Sequence, residues 1–239
     1  LYYIGENLAA RSGAICARIA EMIHSGHESG RRDHPADALE VTRSPGDRAS
    51  AAAAAELAAA IDACFTWAAW ADKWDGAVHD TPMRGLVAAV YEPLGVVGVV
   101  CPNAAPLSAL LGLAGPLLAT GNRVVLLPSA SNPLVAAELY QVLEASDLPG
   151  GVLNLITGSQ ASLAAVLADH DDVDGCWFAG DGPGSEEIAT DCERRSAGNL
   201  KQCWRIAPGL NWQVRDAGFE RERLRRATQV KNIWLPHGV

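Results

Sequence analysis

Between Gly95 and Ile206, short β-type runs alternate with helix-length segments, and Gly and Pro punctuate the joints. Gly95 to Cys101 (GVVGVVC), Arg123 to Leu127 (RVVLL), Gly151 to Ile156, Gly175 to Phe178 and Leu200 to Ile206 predict strands. Ala105 to Ala119, Pro133 to Ala145, Ala161 to His170 and Ser185 to Arg195 predict the helices between them. The first two strand runs are almost continuously apolar, as suits strands covered on both faces. The rhythm repeats every ~25–30 residues, the size of a strand–helix–strand unit. It predicts an α/β fold with a right-handed, doubly wound parallel sheet flanked by helices.

The two ends of the chain follow other patterns. In residues 1–24, Leu1, Ile4, Leu8, Ile15, Ile19 and Ile23 make one apolar stripe and predict a helix. Residues 25–49 are polar and rich in turn formers, and read as a loop or insertion. Ser50 to Trp74 predicts a second, Ala-rich helix, with Ser50 as its N-cap and Leu57, Ile61, Phe65 and Ala69 in line. Trp67, Trp70 and Trp74 are its anchors to the rest of the fold. Arg84 to Glu92 reads as a strand that Pro93 breaks. Glu220 to Arg226 (ERERLRR) predicts a short charged helix with a solvated face, and Gln229 to Leu235 a closing strand that Pro236 ends. Leu1 opens inside a helical pattern, which predicts a chain that continues upstream.

Composition narrows the classes. The 239 residues are 49% hydrophobic and 20% charged, enough for a real core. A net charge of −9 argues against general binding to nucleic acid or to acidic membranes. The longest apolar stretch, Ala104 to Ala119, falls short of the ~20 residues a spanning helix needs. Six scattered cysteines without a CxxC pair read as reduced core thiols, which fits a cytoplasmic protein. His24, His27 and His34 lie in or beside the polar loop with Glu28 and Asp33, but no His or Cys pair has zinc-finger spacing, so no metal site is assigned. No GxSxG motif is present.

The motifs at the strand ends are more particular. They are Pro102-Asn103-Ala104-Ala105-Pro106, Leu127-Pro128-Ser129-Ala130, the Asn154 to Gly158 turn (NLITG), Phe178-Ala179-Gly180-Asp181 and Asn199-Leu200-Lys201. Together they resemble the cofactor-binding domain of the aldehyde dehydrogenase superfamily. The resemblance implies a Rossmann-like domain with NAD as cofactor, and places the cofactor-binding positions at Pro102, Asn103, Pro128, Ser129, Gly158, Gly180 and Asp181. It also makes the losses visible. In that family the first turn carries an Asn whose side chain donates to the oxyanion, and such a donor can be worth ~3 kcal/mol. Aligned on the two prolines, that position is Ala104; a turn shifted by one residue would put Asn103 there instead. The family's Lys and Glu that hold the ribose hydroxyls fall on Leu127 and Ala130. The Ser or Thr after the Gly is Asp181, whose carboxylate would compete with a pyrophosphate for helix N–H groups. The Glu that acts as general base falls on Ile206. No Cys sits in the Gly-Gln-x-Cys context of the nucleophile, and no catalytic residue is assigned.

The stretches RGLVAAVYEPLGVVGVVCP, GNRVVLLPS, HDDVDGCWFAG, SAGNLKQCW and ATQVKNIWLP look most like the degenerate C-terminal module of the two-module (class sixteen) aldehyde dehydrogenases. On this resemblance the thiol catalytic domain is missing. Residues 1–83 are helices packing on the sheet, 84–206 the cofactor-binding-type domain, and 207–239 a connector with an oligomerisation strand. Arg84 to Glu92 and Gln229 to Leu235 should pair as a small antiparallel β arm. The implied function is non-catalytic support of an active aldehyde dehydrogenase module, or self-association, through the C-terminal strand, with weak or absent NAD binding. Two rival readings are an active NAD(P)-dependent aldehyde oxidoreductase and a vestigial nucleotide-binding sensor.

Overall fold

The computed structural model describes residues 1–29, 45–82 and 85–236, with side chains from 23–29 and 45 excepted. In chain order the elements are α1 (Tyr2–Ala10), α2 (Ser12–Ser29), α3 (Pro45–Ala71), β1 (Ala77–His79), β2 (Leu86–Pro93), β3 (Val96–Val100), α4 (Pro106–Ala119), β4 (Arg123–Leu127), α5 (Leu134–Glu144), β5 (Leu153–Leu155), α6 (Gln160–Asp169), β6 (Gly175–Phe178), α7 (Ser185–Ser196), β7 (Gln202–Arg205), α8 (Ala217–Arg226) and β8 (Thr228–Leu235).

Five strands form one sheet in the order β5-β4-β3-β6-β7, and every pairing in it is parallel. The chain winds outward from β3 to β5, then returns past β3 to β6 and β7. The strand order therefore reverses between β3 and β6, which is the doubly wound arrangement expected. Two cores cover the sheet. One joins Val97, Val99, Val124, Leu126 and Trp177 to the helices α1 to α5. The other joins Val100, Leu127, Cys176 and Phe178 to α6 and α7. Alternate side chains of each strand enter opposite cores, as a two-sided parallel sheet requires.

The second sheet is the arm, of order β1-β2-β8. β2 and β8 pair antiparallel over eight residue pairs, from Leu86↔Leu235 to Pro93↔Thr228. Pro93 thus closes the strand rather than breaking it, at an end where its missing N–H costs little. β1 adds a short third strand that the sequence pattern did not reveal.

Several expectations are corrected. The N-terminal helix is two helices, divided at Arg11, although Ile4, Leu8, Ile15 and Ile19 do share the core. Ser50 is not an N-cap: α3 begins at Pro45, where a proline costs no helical hydrogen bond, with Asp47 in its first turn. The loop assigned to 25–49 is helical at both ends, in α2 and α3, and the remainder lies outside the described residues. The buried line of α3 is Ala53, Leu57, Ala60, Cys64 and Trp67, rotated from the one expected, and Ala69 is exposed. The rotation places small residues toward α4. There the indole of Trp67 packs directly on Gly115, whose position leaves no space for a Cβ.

Segment Gly46–Ala71 of α3, not Ala104–Ala119, is the described helix long and apolar enough to cross a membrane, with a mean hydropathy of 1.3. Its buried line packs in the core, and the carboxylate of Glu56 on the same helix is 3% exposed.

The charged helix α8 is not solvated throughout: Glu220, Arg223 and Leu224 are buried. Arg223 donates to the Gly112 carbonyl at 2.7 Å and lies among the rings of Phe219, Trp67 and Trp212. Glu220 accepts from Trp70 Nε1 at 2.9 Å and from Arg215 at 2.8 Å. The Trp anchors expected of α3 are thus placed on α4, α8 and the arm, where Trp74 stacks on Tyr91.

Candidate functional site

In an open α/β sheet, ligands bind beyond the carboxyl ends of the strands, at the point where strand order reverses. Here that point lies after β3 and β6. The turns that follow β3, β4, β6 and β7 converge there, and three of the residues assigned from sequence, Asn103, Ser129 and Asp181, are linked by hydrogen bonds.

Asp181 lies just beyond β6. Its carboxylate accepts the backbone N–H of Asn103 at 2.7 Å and that of Ala104 at 3.0 Å. The N–H groups it takes are thus those of the turn that leads into α4. Two consecutive N–H groups in the turn before α4, where Ala105 is left-handed at φ 49, match both carboxylate oxygens. The α7 end is served by its own turn, with Ser185 N–H donating to the Gly182 carbonyl.

Asn103 does not face an open site. Its Oδ1 accepts from Ser129 Oγ, Ser131 N and Ser131 Oγ, each at 3.1 Å. The Ser131 backbone N–H can only donate, so this contact fixes the amide's orientation. The NH2 group is left packed against Gly182, where a Cβ would come within 2.8 Å of it. The polar side chain of the turn is thus tied to the β4 loop, and Ala104 beside it is exposed with nothing to donate beyond its backbone.

Pro102 and Ser129 are buried. Gln160, which the sequence did not mark, donates through Nε2 to the carbonyls of Cys101 at 3.0 Å and Pro128 at 2.8 Å, tying the ends of β3 and β4 together. No local signal announces such a residue, because both partners are distant in sequence. Gly158, at φ 149, lies in the turn between β5 and α6.

A cleft of about 230 Å³ opens after β6 and β7, lined by Phe178, Gly180, Gly182, Ser185, Arg205 and Ile206 among others. That is below the ~300–1,000 Å³ usual for small-molecule sites. Arg205 is the cation on its wall, and its guanidinium is already engaged. It makes two bonds of 2.6 Å to Glu193, one to Glu186 and one of 3.0 Å to Thr190. The bond to Glu193 is the main reason its pKa is held above the ordinary value, against the lowering effect of burial. Ile206 follows β7 with its N–H on the Phe178 carbonyl and offers the cleft only an apolar side chain.

Four of the thiols are equally unsuited to chemistry. All six cysteines are free. Burial pushes Cys64 and Cys176 up to about 12 and Cys192 to about 11, and Cys101 higher still. A thiol so raised is almost wholly protonated at neutral pH and a poor nucleophile. Among the described residues, no group of three His, Cys, Asp or Glu side chains is placed to hold a metal. The side chains of His24, His27 and His34 lie outside the described set.

The residues present are a poor fit to a dinucleotide. Leu127 is 1% exposed in the core beneath α6, and Ala130 has no polar group, so neither holds a ribose. The N-terminal end of α4, which faces the switch point, is filled by carboxylates of the chain itself. Glu56 reaches across from α3 to accept Leu107 N–H at 2.7 Å and Ser108 N–H at 3.4 Å, and Asp181 takes the turn before it.

Residues 18–210 match the aldehyde dehydrogenase family. An aldehyde dehydrogenase of Agaricus bisporus is 36% identical over 125 residues, covering 52% of this chain and 25% of that protein. The NADP/NAD-dependent aldehyde dehydrogenase PuuC of Escherichia coli (strain K12) is 34% identical over 143 residues, covering 60% of this chain and 28% of that protein. The chain thus spans about a quarter of the length of these relatives. Among solved structures, the lactaldehyde dehydrogenase of Escherichia coli superposes with a TM-score of 0.68 at 21% identity, over 85% of this chain and 37% of the other. The betaine aldehyde dehydrogenase of Staphylococcus aureus, in complex with NAD+, gives 0.66 at 22% identity, over 85% of this chain and 35% of the other. At such identities the superpositions establish the α/β fold, while the family rests on the sequence match. By that match the chain belongs to the aldehyde dehydrogenase family.

Proposed function

We propose that this chain is a non-catalytic module of the aldehyde dehydrogenase family that supports the assembly of an active, NAD-dependent module. Within the family it is closest in kind to the degenerate C-terminal module of the two-module (class sixteen) enzymes. The observation that carries the reading is the path of the chain after β7. Within about a dozen residues it passes from Arg205 to α8, which packs against α4, and then into the arm strand β8. No thiol-bearing domain stands between them. The loss of polar groups at Ala104, Leu127, Ala130 and Ile206 points the same way, and NAD binding is expected to be weak or absent.

The arm supports the partner half of the proposal. Among the described residues, β8 is an edge strand with one side unpaired. Val230, Trp234 and Leu235 on it are all more than half exposed. An exposed, apolar strand edge is a template for pairing with another chain. The expected partner is an active aldehyde dehydrogenase module or a second copy of this chain. Six free thiols suit a reducing, cytoplasmic setting.

Sedimentation velocity on the intact chain and on a variant ending at Ala227 tests the assembly role, with aldehyde turnover assayed in parallel. The proposal expects association that the truncation removes, and no NADH formed by the chain alone. Aldehyde oxidation by the purified chain would sink it.

A further inference from the structure

The contacts around α4 carry an inference about what this site rejects. It deepens the assembly reading and rests on it. The N-terminal end of the first sheet helix is where this class of fold offers phosphates a set of free backbone N–H groups. In this chain those groups are already in use. Glu56 takes the N–H of Leu107 and that of Ser108 from the α3 side. Asp181 takes the N–H of Asn103 and that of Ala104 from the β6 side. The two carboxylates differ in one respect that matters. Glu56 is buried, whereas Asp181 is exposed.

The geometry points to Asp181 as a built-in occupant of an anion-binding turn, the residue that decides that phosphate-bearing ligands are excluded from the switch point. An incoming phosphate would meet both N–H donors already taken and a fixed negative charge a few ångströms from its own. Of the two, only the exposed carboxylate of Asp181 is placed to meet a ligand arriving from solvent, since Glu56 is buried. The turn beneath it is otherwise prepared. Ala105 holds the left-handed conformation that makes successive N–H groups converge. Asn103 is locked by Ser129 and Ser131, so the turn keeps its shape when the carboxylate is removed. The nearby cation Arg205 is neutralised by Glu186 and Glu193 and does not offset the charge of Asp181.

The test uses the full chain, labelled with nitrogen-15, titrated with inorganic pyrophosphate as the probe. In the native protein the amide signals of Asn103 and Ala104 should not shift in a saturable way. In Asp181→Ser they should shift saturably, with affinity at least tenfold tighter than any seen in the native protein. A native chain that binds as tightly as the variant overturns the inference. So does a folded Asp181→Ser whose two amides ignore pyrophosphate. If Asp181→Ser loses its dispersed spectrum, Asp181→Asn replaces it: the charge is gone and the shape kept, and the same gain is required. NAD binding or turnover by the native chain that leaves these two amides unmoved would break the assembly reading and not this one.

Discussion

The carboxylate of Glu56, on α3, accepts the backbone N–H of Leu107 at 2.7 Å and so caps α4 from a different helix. α4 has no side-chain cap of its own, since its N-cap is Ala105. Burial raises the pKa of Glu56 above 4.5, and the bonds from Leu107 and Ser108 offset this only in part. A carboxyl group raised in the folded state holds its proton more tightly there than in the unfolded chain. Its contribution to stability is therefore complete below about 4.5 and is lost as the pH rises through the raised folded value. Glu56→Gln should remove that slope, read from urea midpoints between pH 4.5 and 7.5. An unchanged slope would show that Glu56 titrates normally. Glu56→Ala should cost about 1–3 kcal/mol at pH 4.5, because buried N–H groups lose their acceptor, and less as the pH rises.

Gly115 on α4 meets the Trp67 ring so closely that no Cβ fits between them. Alanine is favoured over glycine within a helix by ~1 kcal/mol, but overpacking a core costs typically ~1–3 kcal/mol. Gly115→Ala should therefore be net destabilising, with a lowered Tm and a changed tryptophan emission. A variant as stable as the native protein would mean that the indole has room to shift.

Arg223 is expected to resist a conservative exchange. Its guanidinium donates to the Gly112 carbonyl while lying 4.3 Å from the Phe219 ring centroid and 5.0 Å from that of Trp67. Burial lowers its pKa to about 10, so it is charged at neutral pH. A lysine keeps the charge but cannot present a flat face to the rings and an N–H to Gly112 together. Arg223→Lys should lose roughly 1–3 kcal/mol in denaturant unfolding. A loss under ~0.5 kcal/mol, the usual scale of a surface change, would contradict the packing described.

The parallel sheet was legible because its strands are apolar on both faces and its turns are marked by Gly and Pro. Arg123 to Leu127 and Gly175 to Phe178 coincide with β4 and β6 as read. The two arm strands were legible as strand patterns, and their antiparallel pairing was implied by the family resemblance. What was hidden depends on contacts between distant residues. The α8 pattern ERERLRR looks solvated until Glu220 meets Trp70 and Arg223 enters a cage of rings. The buried face of α3 is chosen by Trp67 fitting a glycine on another helix. At the site, the losses at Ala104, Leu127 and Ile206 were visible as residue types. The roles of Gln160 and Glu56, and the direction in which Asp181 turns, were not, because their partners come from other elements.

Thiol accessibility offers a separate check. Cys64, Cys101, Cys176 and Cys192 are buried, with pKa values pushed up chiefly by burial. Cys16 and Cys203 are only half-buried. In native protein at pH 7, a disulfide reagent should modify Cys16 and Cys203 and leave the other four until the chain unfolds. Fast modification of one of those four would reveal a reactive thiol and reopen the question of catalysis.

The central claim is that the sheet is kept for its shape and its arm, not for cofactor chemistry. Calorimetric titration of the intact chain with NAD and with NADH tests it most directly. The account predicts no saturable heat at millimolar cofactor. Saturable binding in the micromolar range would contradict it, by showing that the switch point still holds a dinucleotide despite Leu127, Ala130 and Asp181.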